Sequence, residues 1–199
     1  MSQALIVIDV QNDFCPGGAL AVPDGDAVVA PINALMGDFE TVILTQDWHP
    51  AAHSSFASSH PGLSPYETTE MNYGTQVLWP DHCVQGSKGA EFHPDLDVSG
   101  DLIIRKGFRP SIDSYSGFFE NDQKTPTGLE GYLRSRGVLD LTIVGLATDF
   151  CVAYSAVDAA KLGFKTRVKL AACRDINLEG SLEKALTAMQ AAGVQLQQG

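Results

Sequence analysis

Four apolar, β-branched runs dominate the chain: Ala4–Val10, Thr41–Thr45, Leu102–Arg105 and Leu141–Ala147, the last interrupted by Thr142. Each is nearly continuous in apolar character. A strand with one wet face alternates and a strand covered on both faces does not, so these runs predict a parallel sheet buried on both sides. Lys165–Ala171, which alternates charged and apolar positions, reads as a fifth strand, and Val194–Gln197 as a sixth. Helical patterns lie between them: Thr127–Arg136 after Pro126, Thr148–Leu162 before Gly163, and Leu182–Ala192 before Gly193. A further pattern, Asp26–Met36, holds Pro31, which would kink or restart a helix. The alternation predicts an α/β fold: an open, mostly parallel six-stranded sheet with helices on both faces, in a Rossmann-like three-layer arrangement.

One segment departs from the alternation. Residues 48–100 are Pro- and Ser-rich, lack strand-like runs and contain all five histidines, His49, His53, His60, His82 and His93. A stretch of that length is too long for an ordinary connection. It reads as a site-building insertion within a single domain spanning 1–199.

Charge and cysteine content exclude several function classes. Thirteen basic against 24 acidic residues give a net charge of −11, which leaves nothing to neutralise a nucleic acid or an anionic membrane. The apolar runs are far too short to span a bilayer. Met1-Ser2-Gln3 has no basic, cleavable leader, so a cytoplasmic location is expected. Cys15, Cys83, Cys151 and Cys173 are widely spaced with no CxxC pair, which predicts free thiols and neither a zinc ribbon nor a redox dithiol.

In open α/β sheets ligands collect beyond the carboxyl ends of the strands, so the residues there carry the functional reading. The first strand runs into Asp9, and a carboxylate ending an apolar strand is costly to bury unless paired or used. The third runs into Lys106 at the same sheet edge. The fourth runs into Thr148-Asp149-Phe150-Cys151, with Thr148 expected as a helix N-cap and Cys151 in the first turn. Unpaired N–H groups and the helix dipole favour a thiolate there and could also hold an oxyanion. Asp9, Lys106 and Cys151 together make a base, a tuning charge and a nucleophile. A second constellation is metal-like: Asp47 and His49, two apart on an extended segment, with His82 as another imidazole. That N/O set suits Zn, Fe or Mn. His53 and His60 are rival ligands that read better as loop or supporting residues, whether His53 or Ser55 adds a ligand is open, and His93 reads as a surface loop residue.

Five blocks bear on a known family: 8–14 with 17–20, 45–50, 79–84, 105–107 and 145–152. In this order the sequence resembles nicotinamidases of the isochorismatase-like cysteine hydrolase superfamily over essentially its whole length. The resemblance implies that Asp9, Lys106 and Cys151 form a catalytic triad, and that Asp47, His49 and His82 bind one divalent metal, zinc before iron or manganese. It implies a cis peptide before Ala147, whose N–H joins that of Cys151 as an oxyanion hole. Phe14, Leu20, Trp79 and Tyr115 are implied as walls of an aromatic-ring pocket. The implied reaction converts nicotinamide to nicotinate and ammonia through a cysteine thioester, in NAD salvage, with pyrazinamide as a further substrate. The implied partner is a small molecule, with a homo-oligomer left open.

Other readings are weighed on the same residues. Isochorismatases usually lack the nucleophilic cysteine, and carbamoyl and ureido amidohydrolases generally lack the metal set. A metal-activated water would leave Cys151 structural, and a non-catalytic binder would leave all three triad residues without a task.

Overall fold

A computed structural model describes residues 2–198. Six parallel strands form the main sheet: β1 (Ser2–Ile8), β2 (Thr41–Asp47), β5 (Leu102–Lys106), β6 (Val138–Leu146), β7 (Lys165–Arg174) and β8 (Gln195–Gln197). Their order is β5-β2-β1-β6-β7-β8. Every residue of β2 is buried, as are the last five of β1 and all but one of β6. Three of the four continuous apolar runs thus occupy the centre of the sheet, as two covered faces require; the expectation is corrected for Leu102–Arg105, which forms the edge strand β5 with alternate residues such as Ile103 exposed. The helices are α1 (Val29–Met36), α2 (Leu129–Ser135), α3 (Ala153–Lys161) and α4 (Ser181–Ala191). Pro31 falls in the first turn of α1, where the missing N–H has no intrahelical partner to lose.

The chain leaves β1 toward β2 and leaves β6 toward β7 in the opposite direction. That reversal opens a crevice at the carboxyl ends of β1 and β6. Gly145 makes the close approach there possible: at φ +115 its backbone lies so near Ile8 that a Cβ would sit 2.2 Å from the Ile8 carbonyl oxygen.

Three local expectations are corrected. The first strand stops at Ile8, two residues short of Val10, because Asp9 turns to φ +46 and leaves the ladder. Residues 48–100 do contain strands, the antiparallel hairpin β3 (Thr68–Met71) and β4 (Gly74–Val77). Its strands are largely exposed and carry almost no apolar residues, so hydrophobic patterning cannot reveal them. Thr148 is not an N-cap: Ala147 holds that position, no side chain caps the turn, and Thr148–Val152 form a π-helical turn that leads into α3. Among the described residues no helix is long and apolar enough to cross a membrane.

Candidate active site

Four strand ends meet in the crevice. Asp47 and Lys106 are register partners at the ends of β2 and β5, and Asp9 follows β1 between β2 and β6. All three charged residues are buried. The Lys106 ammonium binds a carboxylate oxygen of Asp47, lies 2.8 Å from Asp9 Oδ2, donates to the Ser114 carbonyl at 2.9 Å, and lies 3.5 Å from Cys151 Sγ. Single oxygens of Asp9 and Asp47 and the Cys151 sulfur fall within 4.8 Å of one another. The residues brought together from positions 9, 106 and 151 are thus those expected from the strand ends.

Asp9 is also held from its other side. The Thr45 hydroxyl donates to Asp9 Oδ1 at 2.6 Å and accepts the Asp9 N–H at 3.2 Å. This leaves Oδ2 facing the ammonium.

Burial sets the protonation pattern. It pushes the Asp9 carboxyl above its ordinary range, with Lys106 opposing. It pushes the Cys151 thiol well above its ordinary value too, again against Lys106, and the carboxylates of Asp9 and Asp47 add to the rise. Burial thus opposes the thiolate that a helix start would favour, since desolvation at this depth outweighs the lysine. Lys106 overcomes its own desolvation through Asp47 and Asp9 and stays a cation. Asp47, despite burial, is held well below the usual carboxylate range by Lys106 and His49.

Beside this cluster stand the two imidazoles. His49 Nε2 lies 3.5 Å and His82 Nε2 3.7 Å from Asp47 Oδ2. Each ring offers its Nδ1 to a backbone carbonyl, His49 to Gly107 at 2.9 Å and His82 to Pro80 at 2.8 Å. With Nδ1 turned to a carbonyl, each ring presents its Nε2 on the side of the Asp47 carboxylate, the nitrogen that a metal would take once it carries no proton. The buried His49 Nε2 has no hydrogen-bond partner among the described residues, an orphan that a divalent ion would satisfy. These residues fit a divalent metal.

The rival histidines are held by other groups, although His53 also presents a ligand atom within 4.8 Å of ligand atoms of His49 and Asp113. His53 is engaged at both nitrogens, with Ser55 Oγ at 2.7 Å and the Arg109 carbonyl at 2.8 Å, and it lies against the His49 ring at 4.5 Å between centroids. Ser55 touches His53. His60 binds the Ser54 carbonyl, and His93 Nδ1 accepts the Asp95 N–H.

A narrow cleft faces these groups. Phe14, Leu20, Trp79 and Tyr115 line it together with Asp47, His82, Ala147 and Cys151, and its free volume is about 20 Å³. The Tyr115 hydroxyl accepts from Trp79 Nε1 at 3.0 Å and from Gln76 Nε2 at 2.7 Å, fixing both rings. The Leu146–Ala147 peptide is cis, as expected. Phe150 and Ile176 also line the cleft and were not anticipated. Phe150 could have been found from its place beside Cys151, whereas Ile176 lies in a loop that carries no motif.

An isochorismatase-domain family profile matches residues 3–198. The chain belongs to the isochorismatase family. A nicotinamidase of Acinetobacter baylyi is 55% identical over 193 residues, covering 96% of this family member and 90% of that protein. The solved nicotinamidase/pyrazinamidase of Acinetobacter baumanii superposes with a TM-score of 0.98 at 58% identity, covering 99% of this chain and 96% of that one. The pyrazinamidase of Pyrococcus horikoshii, solved in complex with zinc, is 37% identical with a TM-score of 0.80 and full coverage of both chains.

Proposed function

We propose that this isochorismatase-family chain is an amidase that converts nicotinamide to nicotinate and ammonia, feeding NAD salvage, and that it hydrolyses pyrazinamide as well. One observation carries the reading: an ammonium that touches Asp9, Asp47 and a buried cysteine sulfur at once, beside an orphaned imidazole and an aromatic-lined cleft. The nicotinamidase and pyrazinamidase relatives support the substrate class.

In the proposed mechanism Asp9 is the general base and Cys151 the nucleophile. The thiol proton passes to Asp9 as the sulfur attacks the carboxamide carbon. A C–S bond forms and the carbonyl oxygen becomes an oxyanion, received by the N–H groups of Ala147 and Cys151. Lys106 balances the negative charge that moves between sulfur and carboxylate. Collapse breaks the C–N bond, and Asp9 returns its proton to the leaving nitrogen, releasing ammonia. Water then attacks the thioester while Asp9 accepts its proton, and as the C–S bond breaks Asp9 passes that proton to the departing sulfur, giving the thiol and nicotinic acid, which releases its own proton to solvent as nicotinate.

Asp47, His49 and His82 would hold the divalent ion, which we propose is zinc. When bound, it supplies a Lewis-acid contact for the ring nitrogen that helps orient the carboxamide. Phe14, Leu20, Trp79 and Tyr115 bound the ring. Residues 48–100 serve as a site-building insertion of a single domain, contributing His49, Trp79 and His82. The four unpaired, buried cysteines suit a reducing compartment, and a cytoplasmic location is part of the proposal.

The test is ammonia release from nicotinamide and pyrazinamide by the protein and by Cys151→Ala. Release that disappears in the variant supports the reading. Release that survives moves the chemistry to metal-activated water, and no release from either protein redirects the search to carbamoyl and ureido compounds.

A further inference from the structure

The mechanism makes no use of Asp149, although it is buried and stands two residues before Cys151. Its Oδ1 accepts the Ile176 N–H at 3.0 Å, and its Oδ2 accepts the Asn177 N–H at 2.8 Å and the Ser181 hydroxyl. Those two amides donate to no other acceptor among the described residues. The segment they belong to joins β7 to α4 through three left-handed residues, Asn177, Glu179 and Gly180, so neither a strand ladder nor a helix sets its position at Ile176. Ile176 is nonetheless a wall of the cleft, facing a space also lined by Phe150 and Cys151 from Asp149's own turn. One carboxylate therefore ties the nucleophile turn to a cleft wall that has no regular structure of its own. The remaining walls are firmer: Phe14, Leu20, Trp79 and Tyr115 are all buried, and the last two share a hydrogen bond.

We propose that Asp149 is a positioning residue that holds Ile176 in place, and that Ile176 determines which ring substituents the site accepts. The proposal deepens the amidase reading above and, in its substrate part, rests on it.

The experiment compares the wild type, Ile176→Ala and Asp149→Asn in steady-state hydrolysis of nicotinamide and of ring-methylated nicotinamides. Trimming an apolar pocket wall shifts discrimination by about tenfold or more. Ile176→Ala is expected to raise KM for nicotinamide about tenfold, with kcat within about threefold, and to favour at least one methylated substrate over the parent. Asp149→Asn, which places an amide NH₂ or a single carbonyl where two oxygens accepted, is expected to show the same KM-dominated split. Hydrogen exchange at the Ile176 and Asn177 amides, which needs no substrate, is expected to accelerate in Asp149→Asn. A fall in kcat at unchanged KM in Asp149→Asn would overturn the proposal, since the carboxylate would then act on the nucleophile turn. Wild-type kinetics and substrate preference in Ile176→Ala would overturn it as well. If the wild type releases no ammonia, the amidase reading fails, and exchange still decides the latch: unchanged protection in Asp149→Asn refutes it.

Discussion

Gln11→Leu tests how the carboxylate at position 47 is held. Gln11 is fully buried, and its side-chain amide pairs with the Asp47 peptide in both directions. Oε1 accepts the Asp47 N–H at 2.8 Å, and Nε2 donates to the Asp47 carbonyl at 2.8 Å and to the Ala90 carbonyl at 2.9 Å. β1 has already left the ladder at Asp9, so this amide stands in for the missing backbone of the neighbouring strand. Leucine preserves volume and removes all three bonds. The Ala90 carbonyl keeps Gln46 Nε2 at 2.9 Å, which leaves two orphaned groups on Asp47. At about 1–3 kcal/mol for each buried group left without a partner, the expected loss is about 2–6 kcal/mol. In a chain of this size, where 1 kcal/mol moves Tm by about 2–4 °C, the midpoint should fall by about 4–24 °C. Urea unfolding should show a lower midpoint with an unchanged slope. Metal retained after dialysis should decrease with an affinity loss of about 10–100-fold, the usual effect of releasing a ligand's support. A variant within about 0.5 kcal/mol of wild type that keeps its metal would refute the reasoning.

Two further predictions concern a glycine and a buried thiol. Gly107 takes φ +66, and a Cβ there would meet His49 Cε1 at 2.4 Å, so Gly107→Ala should displace the imidazole and lower metal affinity at least about tenfold; calorimetric zinc titration reads this, and unchanged affinity would show that the ring is not held from this side. Burial pushes the Cys173 thiol up to about 12 from an ordinary 9.0. The folded state then keeps a proton that the unfolded state loses, so stability is unaffected below pH 9 and falls as pH rises above it, by up to about 1.4 kcal/mol per pH unit from this group. Cys173→Ala should flatten that decline in denaturant titrations at pH 8 to 11, and an unaltered slope would count against the assigned cause.

Much of this site is legible in the sequence because its parts sit at strand ends. An apolar run says where a buried parallel strand lies, and the residue just past it says what reaches the crevice, which is how Asp9, Lys106 and Cys151 can be grouped before any coordinates. The hairpin β3–β4 escapes the same reading because its exposed, polar strands bury little and therefore leave no apolar signature. Thr148 misleads for a related reason: its residue type suits a cap, but the chain enters α3 through a π-helical turn with Ala147 in that position.

By itself the sequence determined the layered α/β architecture, three of the strands at its centre, and the chemical inventory at the strands' carboxyl ends, since these follow from local patterning and residue type, while the edge position of Leu102–Lys106 did not. Only the tertiary structure decided how that inventory is held and charged. The grips of Gln11 on Asp47 and of Thr45 on Asp9 both span 36 residues of sequence, and that of Asp149 on Asn177 spans 28. The upward push on the Cys151 thiol likewise depends on depth of burial set against the nearby charge of Lys106. Distance through space and exclusion of water are products of the assembled sheet, and no local stretch of residues encodes either one.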